Sequence, residues 1–476
     1  MKRGEELRLT VERFAAEGKT VARFEGLVVF VHGGVPGDDV RVRVSKVKKS
    51  FLEAEVTQIL TPSPLRIEPR CRYFGVCGGC TWQHVGYDAQ AVFKRQHVID
   101  ALERVGGFRG IEVNPALGAE EVFYYRNKME FSFGTRWRTK NEMAAADRDA
   151  EASGEAERFA LGLHIPGRFD RVLDIEECFL QSETSVRIVN TVRAFCLEQR
   201  LPVYSTQNHE GYLRNLVVRE SKRTGDVMIN LVTKDDRPEV MKALCARLLA
   251  SIPFVTTIVN NITSRLSQVA VGDTEKAYHG PGYILEMLGK RTYRVSANSF
   301  FQTNTSQAER LYEAVRRMAH FEPGDLVFDL YSGTGTIALH IADDVREVIG
   351  IETVGSAVAD AERNAALNKV RNCRFVRGEL KDTLSRDMQW FSPGARPDVV
   401  IVDPPRAGLH EHVVRQLLRL APRRIVYVSC NPATQARDLK LLAAEGVFLP
   451  DEVQPVDMFP HTYHIENVVS LVRATA

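Results

Sequence analysis

Long apolar runs are missing from this sequence: no stretch approaches the ~18 residues that a membrane-spanning helix needs. The first eighteen residues, MKRGEELRLTVERFAAEG, carry charges where a secretory signal has its apolar centre. Together these absences lead us to expect a cytoplasmic protein with no membrane partner. Cysteine is scarce, eight in 476 residues, which excludes a disulfide scaffold and shifts attention to where the eight stand. Charge of one sign is missing too. Lys and Arg number 63 and Asp and Glu 61, for a net +2, so any polyanionic partner must be sought in local patches. There is no internal repeat, and nothing in the sequence calls for an obligate protein partner. What remains, 44% apolar and 26% charged residues, describes an ordinary globular chain long enough for about three domains.

Short alternating strands with Gly-Gly and Pro-Gly turns fill residues 1–62 and predict a small OB-like β-barrel. Within it Arg41, Arg43, Lys46, Lys48 and Lys49 stand in a run without an acid, equally readable as a phosphate-tracking strand or as a solvated edge. A proline-rich linker (Thr61–Pro69) leads into a second region, 63–290, with a predicted helix over 88–105 followed by alternating strands and helices. We expect a central α+β domain here, with a long exposed loop over 139–158. From about Phe321, short strands alternate with helices. That pattern predicts a doubly wound parallel sheet, the core of a third domain over 291–476 in an α/β protein overall.

In doubly wound sheets ligands sit beyond the carboxyl ends of the strands. Gly333-x-Gly335-x-x-Ala338 lets the backbone pass close to a ligand after the first strand, and Glu352 ends the second, where a carboxylate accepts ribose hydroxyls. A dinucleotide and S-adenosylmethionine both fit this plan. The acid–aromatic pair Asp329 and Tyr331, and the turn Asp403-Pro-Pro-Arg406 at a later strand end, favour the methyl donor. Cys430 ends another strand, at a turn into a helix that Asn431 caps and Pro432 starts. A helix N-terminus lowers a thiol pKa, so we expect a thiolate there. A structural thiol, a redox thiol and a covalent nucleophile all compete for this residue. Glu466, His461 and His464 near the C-terminus are candidate bases.

Four motifs, FFQTN (300–304), DPPR (403–406), SCNP (429–432) and FPHTYHIENV (459–468), together resemble the RNA uracil-C5 methyltransferases. The resemblance extends over nearly the whole chain and is nearest to the bacterial enzymes that make 5-methyluridine in 23S ribosomal RNA. It implies a class I methyltransferase sheet, with Cys430 as nucleophile and Glu466 as the proton acceptor. It also implies that Gln302, Tyr331, Glu352 and Asp403, beside Gly333 and Gly335, hold S-adenosylmethionine. Relatives often carry cysteine where Ser332 stands, and Asp or Asn near Glu379. The first 62 residues resemble the RNA-binding TRAM module, which turns the 41–49 run toward phosphate contact. Arg126 and Lys128, in YYRNKMEFSFG, resemble an RNA-facing strand. RNA is then the expected partner, ribosomal RNA before tRNA, with the target uridine flipped into the cleft.

Cys71-x5-Cys77-x2-Cys80 with a remote Cys178 offers four thiolates for an iron–sulfur cluster or a zinc ion. The triplet with a distant fourth favours a cluster, and the resemblance implies [4Fe-4S]. Cys196, Cys245 and Cys373 are expected in the core. Two further readings stand beside the methyltransferase: an NAD-dependent oxidoreductase using Gly333, Gly335 and Glu352, and a non-catalytic RNA-binding iron–sulfur protein.

Overall fold

A computed structural model describes residues 1–137, 159–267, 269–384 and 396–474. The loop expected over 139–158 lies outside the described residues. The N-terminal unit has six strands: β1 (Glu6–Thr10), β2 (Arg13–Phe14), β3 (Thr20–Phe24), β4 (Leu27–His32), β5 (Asp39–Val47) and β6 (Phe51–Thr61), in the order β1-β5-β6-β4-β3-β2. Val40, Val42 and Val44 of β5 point into the core with Val29, Val31 and Leu52, because alternate residues share a face. The intervening Arg41 and Arg43 and the following Lys46 are therefore exposed. Arg43 reaches Glu6 at 3.3 Å and Lys46 reaches Glu53 at 2.9 Å.

The second sheet contains β7 (Lys128–Thr135), β8 (Phe159–Ile165), β9 (Arg168–Asp174), β10 (Leu213–Glu220), β11 (Val227–Thr233), β12 (Thr257–Ile262) and β13 (Thr274–His279). Its order is β13-β12-β11-β10-β7-β8-β9, antiparallel except where β11 runs with β12. Helices Glu183–Glu198 and Pro238–Ser251 cover one face, through a core that includes Phe131, Leu216, Ile229 and Leu244. Cys196 and Cys245 are buried in it, and Cys373 is half-buried against the C-terminal core.

A hairpin of β14 (Tyr283–Leu288) and β15 (Arg291–Ser296) follows, so the border expected at 290/291 falls in its turn. Then comes the parallel sheet: β16 (Leu326–Leu330), β17 (Glu347–Glu352), β18 (Cys373–Arg377), β19 (Val399–Val402) and β20 (Arg424–Ser429). β16 and β19 are buried along their whole length, as strands covered on both faces must be. β21 (Phe448–Val456) and β22 (Glu466–Arg473) complete the order β18-β17-β16-β19-β20-β22-β21, with β22 antiparallel to both neighbours.

One element crosses the expected borders. The helix Tyr87–Ala101, placed by sequence in the central region, packs on the C-terminal sheet. Val98, Ala101 and Leu102 share a core with Ile425, Leu439 and Phe448. Charge fastens the same contact. Lys94 Nζ donates to Asp457 Oδ1 at 2.6 Å and to the Phe459 carbonyl at 3.0 Å, with both charged side chains sealed from solvent. Asp457 also accepts from Tyr87 at 3.0 Å and from the Phe459 N–H at 3.0 Å. Gln90 Oε1 accepts the His461 N–H at 2.9 Å. The 457–464 loop, which leads into β22, is thus held from outside its own sheet.

Candidate active site

The switch between β16 and β19 puts four strand ends around one cleft of about 1330 Å³. Gln302, Tyr331, Gly333, Glu352, Asp403, Cys430 and Glu466 all line it; Gly335 stands just behind, as the residue before helix Thr336–Ile341. After β16 the chain turns sharply, and Tyr331 itself adopts a φ of 65°, costly for an aromatic residue and characteristic of a constrained site. Gly335 (φ 77°) is required by close approach as well: a Cβ there would lie 2.7 Å from the Phe375 ring. Glu352 accepts the Gly333 N–H at 3.0 Å and the Thr353 and Val354 N–H groups at 2.8 and 2.9 Å, which fixes its carboxylate at the mouth of the turn.

The FFQTN segment reaches the cleft from outside the sheet. Asn127 Nδ2 donates to the Gln302 carbonyl at 2.8 Å and to Thr305 Oγ1 at 3.0 Å, while the Asn127 N–H donates to the Thr303 carbonyl at 2.8 Å. Asn304 caps the next helix by accepting from the Gln307 N–H at 3.2 Å. Gln302 is therefore positioned by a residue of the central region, a relation that no local pattern reveals.

The pairing of β20 with β22 brings the two reactive candidates together. Ser429 lies opposite Asn467, so the next pair in register sets Cys430 beside Glu466. Gln435 locks this end of the ladder, donating to the Tyr427 and Asn467 carbonyls at 2.9 and 3.1 Å and accepting from Asn467 Nδ2 at 2.7 Å. Asn431 caps the helix Pro432–Leu442 as predicted, accepting the Ala433 N–H at 3.1 Å, and its amide donates to the Arg406 carbonyl at 3.2 Å. The DPPR turn is thereby tied to the SCNP turn.

The expected thiolate is not what this environment favours. Burial pushes the Cys430 thiol up to about 11, and the nearby Glu466 and Asp403 carboxyls add to the shift, outweighing Arg406. The helix N-terminus is present, but desolvation and two acids win. Burial likewise raises Glu466 well above the ordinary carboxyl range, reinforced by Asp403. Asp403 is lifted to about 7 by burial, and Asp329 to about 8 by burial and then Asp403. Asp329, 1% exposed, accepts the Ala338 N–H at 3.2 Å through one oxygen; the other, in the cleft wall, has no partner. This last carboxylate is the feature whose importance the sequence pattern understated.

His461 and His464 lie elsewhere. His461 is buried, stacked on Phe123 at 4.3 Å, and His464 packs on Tyr463 at 4.2 Å; burial lowers both to about 4. Neither lines this cleft.

The four predicted ligand cysteines lie close enough to act on one another's charge, and Cys77 and Cys80 line a cleft that shares Arg126, Thr303, Arg406 and Phe459 with the catalytic one. Burial pushes Cys77 up to about 11 and Cys80 to about 12, and charge on Cys71 or Cys178 would raise each further. The Gly79 N–H points to Cys77 Sγ at 3.4 Å and Gln83 Nε2 to Cys80 Sγ at 3.2 Å. Such donors suit thiolate ligands. Among the described residues, however, no three metal-ligating side chains are spaced to hold a single metal ion. Nor is any helix among them long and apolar enough to cross a membrane.

Residues 282–474 match the family model described as tRNA (Uracil-5-)-methyltransferase, and residues 1–57 match that of the TRAM domain. A Chlorobaculum tepidum protein, described as an uncharacterized RNA methyltransferase, is 44% identical over 477 residues, covering 99% of this chain and 97% of its own. A Porphyromonas gingivalis protein of the same description is 44% identical, covering 98% of this chain and all of its own. The crystal structure of a Pyrococcus abyssi tRNA (uracil-54, C5)-methyltransferase, in complex with S-adenosyl-L-homocysteine, superposes with a TM-score of 0.73 at 31% identity. It covers 98% of this chain and 100% of that one. This chain belongs to the RNA uracil-C5 methyltransferase family. As a member of that family it is an S-adenosylmethionine-dependent RNA methyltransferase with a TRAM module.

Proposed function

We propose that the enzyme methylates carbon 5 of one uridine through a covalent adduct between Cys430 and the base. The observation that supports this most is the strand register that sets Cys430 beside Glu466 in an acid-lined cleft. Carbon 5 of uracil is a weak nucleophile. Addition of the Cys430 sulfur to carbon 6 breaks the 5,6 double bond and makes carbon 5 enolate-like. Carbon 5 then takes the methyl group, and the donor departs as a neutral thioether. Glu466 as carboxylate accepts the proton from carbon 5; the double bond re-forms and the sulfur leaves as thiolate. Because Cys430 rests as a thiol, its proton must pass to a neighbour first; Asp403 is the acceptor at hand, which leaves the Glu466 carboxylate free for the carbon 5 proton. Entry of a sulfonium cation favours their ionised forms, which prepares the acceptors when the donor binds. Tyr331, Glu352, Asp403 and Gln302 hold the donor in this reading, with Gly333 and Gly335 leaving room for it.

We read the four cysteines as ligands of a [4Fe-4S] cluster. A close triplet with a remote fourth thiol favours a cluster over a zinc site built from two short cysteine pairs. The cluster would supply a structural anchor for the loop 71–80, since methyl transfer moves no electron. We divide the chain at 62/63 and, to keep the hairpin whole, at 282/283, with the helix Tyr87–Ala101 assigned to the catalytic unit.

Ribosomal RNA is the first target reading, by likeness to the bacterial enzymes. The tRNA reading is favoured by one observation: the Pyrococcus tRNA enzyme shares the architecture along its whole length. Mapping 5-methyluridine by mass spectrometry in ribosomal RNA and tRNA from a strain lacking the gene separates them. Loss of one site in one RNA class identifies the target; unchanged 5-methyluridine in both would refute the activity.

A further inference from the structure

A second cleft, of about 1470 Å³, opens between the N-terminal unit, the cysteine loop, β7 and the 459–464 loop. It is continuous with the catalytic cleft, since Arg126, Thr303, Arg406 and Phe459 wall both. Its chemistry differs from that of a plain groove. His84 lines it, is only 6% exposed, and has neither ring nitrogen hydrogen-bonded. The Gly34 backbone lies near enough to act on its charge but not to bond it. Thr81 Oγ1 and Thr303 Oγ1, in the same walls, are also buried without a partner. Burying polar atoms unpaired is costly, so four in one cleft wall call for a ligand that pairs them. Aromatic surface is at hand: Phe74 packs on His84 at 4.9 Å between centroids, and Tyr463 lines the same cleft. Single-stranded RNA is recognised by this combination, a base laid on an aromatic ring with its edge hydrogen-bonded.

Resting on the methyltransferase reading above, we propose that this cleft receives a nucleotide flanking the target uridine. Its base stacks on Phe74 or Tyr463, and its edge is read by His84 with Thr81, which makes His84 a sequence-determining residue. Burial, followed by the charge of Arg66, lowers His84 to about 4, so it enters the contact as a neutral ring with one donor and one acceptor. Such a pair matches a base edge better than a phosphate. Arg66 is committed to Asp38 at 2.5 Å. Arg126 and Arg406, at the junction of the two clefts, are left for the phosphate between the two nucleotides.

The test uses the full chain and a transcribed RNA hairpin carrying the mapped uridine, with each of the two flanking nucleotides replaced in turn by the other three. The wild-type enzyme should prefer one base at one flanking position by about tenfold in kcat/KM, the scale of one good base contact. His84→Ala should flatten that preference to within about threefold, mainly through KM. His84→Gln, which keeps a donor and an acceptor, should restore part of it, and Thr81→Val should weaken it less. Wild-type preference retained by His84→Ala, or no preference in the wild type, would overturn the proposal. A fall in bound iron together with uniform loss on every hairpin would do so too, assigning His84 to the cysteine loop. Should His84→Ala not fold, Thr81→Val and His84→Gln carry the same measurement. Failure of the wild type to methylate any hairpin would instead strike the methyltransferase reading itself.

Discussion

The two clefts meet at Arg406 and Phe459 but are built for ligands of different character. The catalytic cleft gathers Asp329, Glu352, Asp403 and Glu466, several of them short of water and reluctant to ionise. The second offers aromatic rings and neutral polar edges, and its charges are mixed: Lys19 and Lys128 stand with Glu17, Glu55 and Glu130. Buried carboxyls suit a cationic sulfonium in the first, and rings with neutral edges suit a base in the second. Arg126 and Arg406, common to both walls, are placed for the phosphate between them.

The contrast breaks most completely if its chemical centre is removed. Cys430→Ala should lower methyl transfer by about 10⁴-fold or more while RNA affinity, set by the other cleft, stays unchanged in filter binding. Retained turnover would eliminate the covalent route. Glu466→Gln should slow turnover by about 10²–10⁴-fold and leave methylated RNA bonded to the protein, visible as a slow band on a denaturing gel. Normal turnover with no such band would move proton abstraction to another group.

A third variant attacks the wall common to both sides. Lys94→Met strands Asp457 without its cation in a sealed site, at a cost of about 3–5 kcal/mol. Denaturant unfolding should show that loss, and both donor and RNA binding should suffer, since the 457–464 loop contributes to each cleft. The smallest effect sharpens the contrast by pH. In the empty protein Asp403 gives up its proton near pH 7 and Asp329 near pH 8. Binding a cation favours the ionised forms, so affinity for S-adenosylmethionine should rise about tenfold from pH 6.5 to pH 8.5. S-adenosylhomocysteine, lacking the sulfonium charge, should change less in the same calorimetric titration. The same shifts act on stability. Both acids titrate higher in the fold than their ordinary value of 3.8, so the stability they confer is full below that pH and lost as pH rises through 7 to 8. The ligand-free protein should therefore melt at a lower temperature at pH 9 than at pH 6, and Asp329→Asn should narrow the gap.

Much of the catalytic cleft was legible in the sequence because doubly wound sheets place ligands at strand ends, and strand ends can be read from apolar runs that stop. Tyr331, Glu352, Asp403 and Cys430 follow from that rule, and Asn431 from capping preference. The NAD reading depended on the same glycines, and likeness along the whole chain to RNA methyltransferases decides against it. What could not be read depends on contacts between distant segments. Glu466 meets Cys430 only because β22 inserts antiparallel between β20 and β21. Gln302 is oriented by Asn127, and the helix Tyr87–Ala101 leaves its sequence neighbours for another sheet. The thiolate expectation failed because helix position is local while desolvation is set by the whole fold. The basic run at 41–49 faces solvent, and none of its members lines either cleft.

The Lys94–Asp457 clamp limits how this architecture can be recombined. The block at 282–474 that matches the family model looks like a portable module, yet part of its hydrophobic interior and the counter-ion of its key loop come from a helix nearly two hundred residues upstream. A graft or truncation that transplants the block alone would expose Val98's seat and orphan a buried carboxylate. The six-stranded front unit is seated on the same helix through Phe14, Trp82 and Phe93, so chimeras that keep both contacts are the ones that should stay folded.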